Sequence, residues 1–300
     1  MHSSATTFPY SALDLDRFRQ LQRFAFDIAV QVESQLQPGM SEYEVCTLIL
    51  AAQAHAEVVQ VFHEPYAWLG PRTTLGQDWA PDIVKAAVVA AGRLAPSATF
   101  NPTYDVLCDG MPVILDLAPV MRGIAADVSY SCVVGSNPTF RELDAGLALI
   151  RNFLLEGIRA GETLADLYRQ LDVLLAQRGW RNCHQHYPDR AMGHLVFQLG
   201  RDPDRRSPIP GMGTAAAEAL LAAGLEATEA GTWDPVWNDS PSSDHPPAPG
   251  LWAIEPHIGK DGVGVKFEEV LVVTEDDAYW LDDDPPHVQR WAAAGYPTTQ

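Results

Sequence analysis

Three things are scarce in this sequence, and each scarcity excludes something. Cysteine occurs only at Cys46, Cys108, Cys132 and Cys183, with no Cys-x-x-Cys pair. That spacing builds neither a zinc knuckle nor a disulfide framework, so the four are expected as reduced core thiols. Positive charge is short as well: 20 Lys and Arg stand against 39 Asp and Glu, a formal net charge of −19. A field of that sign repels phosphate backbones and anionic lipids, which excludes nucleic acid and membrane surfaces as expected partners but does not oppose divalent cations. Long apolar runs are missing, since none approaches the ~18 residues that span a bilayer. The opening MHSSATTFPYSALDL also has no basic stretch followed by an apolar one, so no secretory signal is expected and a cytoplasmic location fits.

What is present is the composition of a globular protein, 47% hydrophobic and 20% charged. Residues 14–36 carry apolar positions at helical spacing until Pro38-Gly39 interrupts them. A second helix starts at SEYEVCTLILAAQAHAEV, where Ser41 and Glu44 have capping-box spacing. The same order returns later: a helix over 143–160, a break at Ala160-Gly161, and a helix capped by Thr163. Each helical pair precedes a stretch rich in strand formers, which predicts a duplicated α/β chain with a seam near residue 140. The expected organisation is a tail over 1–14, one domain over 15–283 with halves 15–140 and 141–283, and a closing tail over 284–300. Residues 201–249, rich in Pro, Gly and Asp, are expected as an insertion, either a lid or a plain solvated loop.

Two hairpins carry the chemistry. PVILDLAPV, a short Met-Arg-Gly turn and IAADVSYSCVV read as the first. With Met121 and Arg122 as the loop, Asp116 falls directly opposite Asp127, at the ~4.5–5.5 Å separation where like charges destabilise. LWAIEPHIGK, Asp261-Gly262 and VGVKFEEVLVV read as the second, because Asp-Gly suits a type I′ turn. That register sets Glu255 opposite Glu268 and turns Glu269 to the other face. Strand carboxylates often face only solvent. Asp116 and Glu255, however, lie in apolar runs, where an unpaired carboxylate costs several kcal/mol. Two such pairs favour metal coordination. His194, in AMGHLVF after Gly193, is the candidate imidazole ligand, with a hydrogen-bonded core histidine as the alternative.

In this order, Asp116 in VILDLAP, Asp127 in GIAADVSYS, Gly193-His194, Glu255 in AIEPH and Glu268 in GVKFEEVLVVTED, the five residues resemble the pita-bread metallohydrolases. That superfamily includes methionine aminopeptidase, aminopeptidase P, prolidase and creatinase. The strands DVSYS and KFEEVLVVTED are most similar to the aminopeptidase P and prolidase branch. The resemblance runs from about residue 15 to 280 and implies an α+β pita-bread fold: pseudo-twofold α/β halves with antiparallel sheet and flanking helices. It implies two divalent ions (Mn, Fe, Co or Zn) held by Asp116, Asp127, His194, Glu255 and Glu268, with Asp127 and Glu268 bridging. It further implies a metallopeptidase, an aminopeptidase or Xaa-Pro dipeptidase using a metal-activated water, with Glu255 as proton shuttle and a small peptide as substrate. A homodimer is a further expected assembly.

Two substrate-polarising histidines of the family peptidases are missing. ATFNPTYDVL, upstream of Asp116, offers Tyr104 and Asn101 instead, and Arg201 stands at the second position. Tyr104, Arg201 and His245 are therefore candidate substrate-binding residues. For His63, His184, His186, His245 and His257 a structural or surface role is the competing reading. The altered shell also leaves open a small-molecule enzyme acting on a C–N bond, and a non-catalytic binding module.

Overall fold

The computed structural model describes residues 8–55, 58, 60–75, 100–187, 190–196 and 235–298. Two helical pairs of the same build head its two halves. Helices α1 (Ala12–Glu33) and α2 (Glu42–His55) have 22 and 14 residues; α3 (Pro138–Arg159) and α4 (Leu164–Gln177) have 22 and 14 again. Gly39 and Gly161, at φ of 96° and 77°, make the turns that no Cβ-bearing residue adopts cheaply. Two residues on, the second helix of each pair is capped. Ser41 Oγ accepts from Glu44 N–H while Glu44 accepts from Ser41 N–H at 2.7 Å, and Thr163 Oγ1 accepts from Asp166 N–H at 3.1 Å. Helix α3 starts earlier than its apolar periodicity suggests, because Asn137 caps it from the side chain and Pro138 occupies its first turn.

After α2 come β1 (Gln60–Val61), β2 (Tyr66–Leu69), β3 (Pro112–Leu117), β4 (Pro119–Met121), β5 (Ile124–Ala125) and β6 (Val128–Val133). They form two antiparallel three-stranded sheets, β2-β3-β6 and β1-β4-β5. After α4 come β7 (Arg181–Asn182), β8 (Gly193–Val196), β9 (Val236–Trp237), β10 (Gly250–Ile254), β11 (His257–Lys260), β12 (Val263–Lys266), β13 (Glu269–Val273) and β14 (Ala278–Trp280). These pair as β14-β13-β10-β8-β9 and β12-β11-β7. The architecture is α+β. Each half keeps its own apolar core: Leu21, Phe26, Ile49, Leu115 and Val128 in the first, Leu147, Ile150, Leu167, Trp252 and Val265 in the second.

The second hairpin has the register its Asp-Gly turn dictates. Asp261 and Gly262 sit at φ of 51° and 77°, Lys260 pairs Val263 and Ile254 pairs Glu269. The first hairpin corrects the sequence reading. Met121 pairs Ile124, so the loop is Arg122-Gly123, at φ of 54° and 80°. Asp116 consequently faces Ser129, and Asp127 lies diagonal to it. The reason is that a type I′ turn needs positive φ at both central residues, which puts the glycine second within the turn rather than outside it. One further expectation changes: Cys46, Cys132 and Cys183 are buried free thiols, but Cys108 is exposed. Of the expected insertion over 201–249, residues 201–234 lie outside the described residues.

The segment after Asp283 carries helix α5 (Pro286–Ala293), whose Trp291 is buried in the second core. Its His287 meets Glu269 Oε1 at 2.7 Å; Arg151 from α3 grips the same carboxylate at 2.8 and 2.9 Å. Burial works to raise the Glu269 pKa, yet Arg151 and His287 outweigh it and hold the group at about 2. Because the folded value lies below the unfolded one, the pair stabilises fully above the ordinary glutamate range and loses its effect as pH falls toward 2. Glu269→Gln is thus expected to cost about 3–5 kcal/mol at pH 7, since it leaves Arg151 buried without its anion. Denaturant titrations of both proteins at pH 7 and pH 3 check this; a difference that stays constant on acidification contradicts it.

Candidate metal centre

The two halves are sewn together along β6 and the β12–β13 connection. Ser129 bridges Glu268, and Ser131 Oγ both donates to Lys266 C=O and accepts from Lys266 N–H, each at 2.7 Å. Four carboxylates collect along this line, with Asp116 3%, Asp127 6%, Glu255 7% and Glu268 2% exposed. Asp116 is the penultimate residue of β3; Asp127 precedes β6. Glu255 and Glu268 face each other at a break between the β10–β13 and β11–β12 ladders. The opposition read for that second pair therefore follows from the Asp-Gly register.

His194 reaches the group from β8, which pairs with both β10 and β9. A Cβ on the neighbouring Gly193 would stand 2.5 Å from the Ala253 carbonyl, so only glycine permits this strand approach. His194 Nε2 lies 3.4 Å from Asp127 Oδ2. Burial opposes its charging, but Asp127 raises its pKa to about 9.

Two members of the cluster were not singled out as site residues from the sequence. Lys266, 2% exposed, places its ammonium 2.7 Å from Asp116 Oδ2, 2.7 Å from Glu255 Oε2 and 3.0 Å from Glu268 Oε2. Its hydrogen bond goes to Asp116 Oδ2, and the two glutamates complete the ion cluster around it. Strand alternation could have found it, because Lys266 stands two residues before Glu268 and shares its face. His63 follows β1 and sets Nε2 3.0 Å from Asp127 Oδ1 and 3.2 Å from Asp116 Oδ1. Nothing local marks it. It arrives through the β1–β4 pairing, where Phe62 N–H donates to Ala118 C=O at 2.8 Å.

The electrostatics divide by partner. Burial pushes every carboxyl upward, but Lys266 and His63 outweigh it at Asp116, and His63 and His194 outweigh it at Asp127, so both are held below the usual range. Glu255 and Glu268 go the other way. Burial raises Glu255 despite Lys266, and burial together with the Asp127 charge raises Glu268 well above its ordinary value. Ser129 Oγ lies 2.8 Å from Asp116 Oδ2 and 3.1 Å from Glu268 Oε2, tying the first half's strand to the second half's carboxylate.

The other sequence candidates have different surroundings. His257 donates Nε2–H to Thr73 C=O at 2.6 Å and lies 3.0 Å from Tyr187 Oη; His184 Nδ1–H donates to Ala191 C=O at 2.7 Å. Burial first, then Lys266, lowers His257 to about 3, so it is a neutral support; its Tyr187 partner lays its ring 5.5 Å from Lys266 Nζ. Tyr104 is 80% exposed, and its ring lies 4.7 Å from that of Tyr43, tilted by 36°. His245 Nδ1–H donates to Pro246 C=O at 2.7 Å. Arg201 lies outside the described residues.

Among the described residues, two three-residue groups bring one ligand atom each to within 4.8 Å of one another: His63, Asp116, Asp127 and Asp127, His194, Glu268. Asp127 belongs to both. The donors are carboxylate oxygens and imidazole nitrogens with no thiolate, a set that suits hard or borderline divalent ions. Asp116 Oδ1 is buried and accepts no sound hydrogen bond, which leaves a lone pair directed into the cluster. The residues fit a metal centre.

Solved structures with this fold include an X-Pro aminopeptidase from Thermotoga maritima MSB8, at 14% identity and a TM-score of 0.61, with 91% of this chain and 62% of that chain covered. An Xaa-Pro dipeptidase from Bacillus anthracis matches at 16% identity and 0.60, covering 93% and 62%. A prolidase from Pyrococcus furiosus matches at 15% and 0.60, covering 91% and 65%. The chain thus spans about three fifths of the length of these structures. No curated protein matches it. The architecture is the pita-bread fold of these metallohydrolases. More narrowly, the chain belongs to metallopeptidase family M24, whose sequence model matches residues 16–275.

Lys266 neutralises only one of four buried negative charges, and its loss would leave three carboxylates without their fixed cation. Lys266→Met keeps the length and removes the charge. It is expected to lower the stability of metal-free protein by about 3–5 kcal/mol, the usual cost of breaking a buried ion pair. The urea midpoint at pH 7 measures this, and an unchanged midpoint would show that the ammonium does not balance the cluster.

Proposed function

We propose that this chain is a two-ion hydrolase cutting a peptide or amide bond close to a free terminus, as an aminopeptidase or Xaa-Pro-type dipeptidase. One observation carries the reading: Asp127 belongs to two adjacent donor groups, the arrangement a bridging carboxylate requires. Asp116, Asp127, His194, Glu255 and Glu268 are the proposed ligands, with Asp127 and Glu268 as the bridging pair. Divalent ions held there, Mn, Fe, Co or Zn, supply Lewis acidity for a carbonyl and lower the pKa of water.

Glu255 is the proposed proton carrier. Its carboxyl is buried within the cluster, where it would take a proton from the attacking water and pass it to a leaving nitrogen. Lys266 holds Glu255 Oε2 in place at 2.7 Å. The names of the solved relatives, X-Pro aminopeptidase and Xaa-Pro dipeptidase, support the peptide substrate class. A second reading, a small-molecule enzyme breaking a C–N bond on the same scaffold, rests on the two missing family histidines: Tyr104, near the upstream one, is 80% exposed and tilted against Tyr43.

Elemental analysis is expected to return two divalent ions per chain, and chelation to abolish turnover of Xaa-Pro or Met-Xaa dipeptides. Full metal occupancy without turnover of any dipeptide would favour the small-molecule reading. A protein that takes up no metal would end both. Glu255→Gln is expected to keep the circular dichroism spectrum and lower kcat by roughly 10²–10⁴-fold, the usual worth of a positioned general base. A near-wild-type kcat would take the proton-carrying role from Glu255.

A further inference from the structure

We propose that His63 is a sixth ligand of this centre, so that each of the two ions is held by one imidazole, His63 for one and His194 for the other. The proposal rests on the two-ion reading above and adds a nitrogen donor from outside the five-residue pattern.

The two histidines present themselves in the same way. His63 Nδ1 lies 2.7 Å from the carbonyl of the next residue, Glu64; His194 Nδ1 lies 3.2 Å from the carbonyl of its next residue, Leu195. A carbonyl only accepts, so in both rings the Nδ1 carries the hydrogen and Nε2 is the atom offered inward. A ring N–H donated to a backbone carbonyl is also how metal-ligating histidines are commonly fixed in orientation and tautomer. The two Nε2 atoms then address opposite oxygens of one carboxylate, Asp127 Oδ1 at 3.0 Å for His63 and Asp127 Oδ2 at 3.4 Å for His194.

A proton on Nε2 lets His63 hydrogen-bond Asp127 Oδ1 at 3.0 Å beside Asp116 Oδ1 at 3.2 Å; a divalent ion taken up here would replace that proton and meet the freed lone pair among the same oxygens. Asp116 Oδ1, buried and without a sound hydrogen bond, points to the same space. His63 is not free to swing clear. Its ring stacks on Tyr66 at 5.1 Å and 9°, and Phe62 lies edge-on to it at 6.2 Å while stacking on His194 at 5.6 Å. One phenyl ring therefore buttresses both imidazoles. Lys266 occupies the other side of Asp116, at Oδ2, so the Oδ1 side is left to an exchangeable cation. A nitrogen donor there shifts that position toward borderline ions such as Co²⁺ and Zn²⁺ relative to an all-oxygen site.

The test is proton NMR of the protein loaded with Co²⁺, a paramagnetic probe that displaces the ring N–H resonances of coordinated imidazoles far outside the ordinary range. Two exchangeable shifted resonances are expected in the wild type. His63→Ala should remove one and weaken the corresponding Co²⁺ binding step by roughly 100-fold or more, beyond the 10–100-fold typical of outer partners. His194→Ala should remove the other. A single shifted resonance in wild-type protein carrying two Co²⁺ overturns the proposal and leaves the two-ion centre standing, with His63 as a protonated counter-ion. Failure to bind Co²⁺ at all overturns the centre itself. The wild-type count decides between these outcomes even where a variant folds poorly.

Discussion

Concentrated negative charge at the seam between two half-domains is the constraint on which the structure depends. Four carboxylates, each less than a tenth exposed, stand along the line where β6 meets the β12–β13 connection. Their mutual repulsion in a dry setting would force protonation or opening of the seam unless cations are built in or bound. The fold answers partly with its own charge. Lys266 is buried among three of them, and its ammonium stays charged because those three anions outweigh the burial that would otherwise discharge it.

The halves reach that seam by parallel routes. Each opens with a 22-residue and a 14-residue helix, joined through a glycine at positive φ and a hydroxyl cap two residues later. Each then delivers a hairpin turned by an X-Gly pair in the left-handed region, Arg122-Gly123 and Asp261-Gly262. The carboxylates sit at or near breaks in the hairpin ladders, where the regular hydrogen bonding lapses and side chains are free to converge. Ser129 and Ser131 close the joint between halves, so the same strand that positions the acidic cluster also locks the two cores together.

Much of this was legible in the sequence, and the failures are instructive. Short-range rules performed well: the Ser41–Glu44 box, the Thr163 cap and the Asp-Gly hairpin all depend on residues a few positions apart. The first hairpin was misregistered by placing Met121 rather than Gly123 in the turn. The two carboxylates nevertheless share a face, because the shift moves the partner by two residues and a two-residue shift preserves the face. Asp116 and Asp127 remain neighbours, diagonal rather than opposed. A one-residue slip would have sent one of them to the far side. His63 was unreadable for a different reason. Its place depends on β1 pairing with β4 across more than fifty intervening residues, and no local pattern encodes that pairing. Lys266 was readable by alternation, but attention to acidic residues passed over the cation two positions away.

The ammonium and the exchangeable ions divide the charge between them by geometry. Lys266 donates a hydrogen bond to Asp116 Oδ2 and stands at ion-pair distance from Glu255 Oε2 and Glu268 Oε2, so it balances charge on that side. On the opposite side, His63 and His194 approach Asp116 Oδ1 and the two oxygens of Asp127. A fixed cation tethered by a methylene chain cannot leave, whereas charge on the other side is balanced by protons or by ions from solution. With the permanent charge on one side of the cluster and the histidines on the other, the seam carries a built-in cation whatever else binds there.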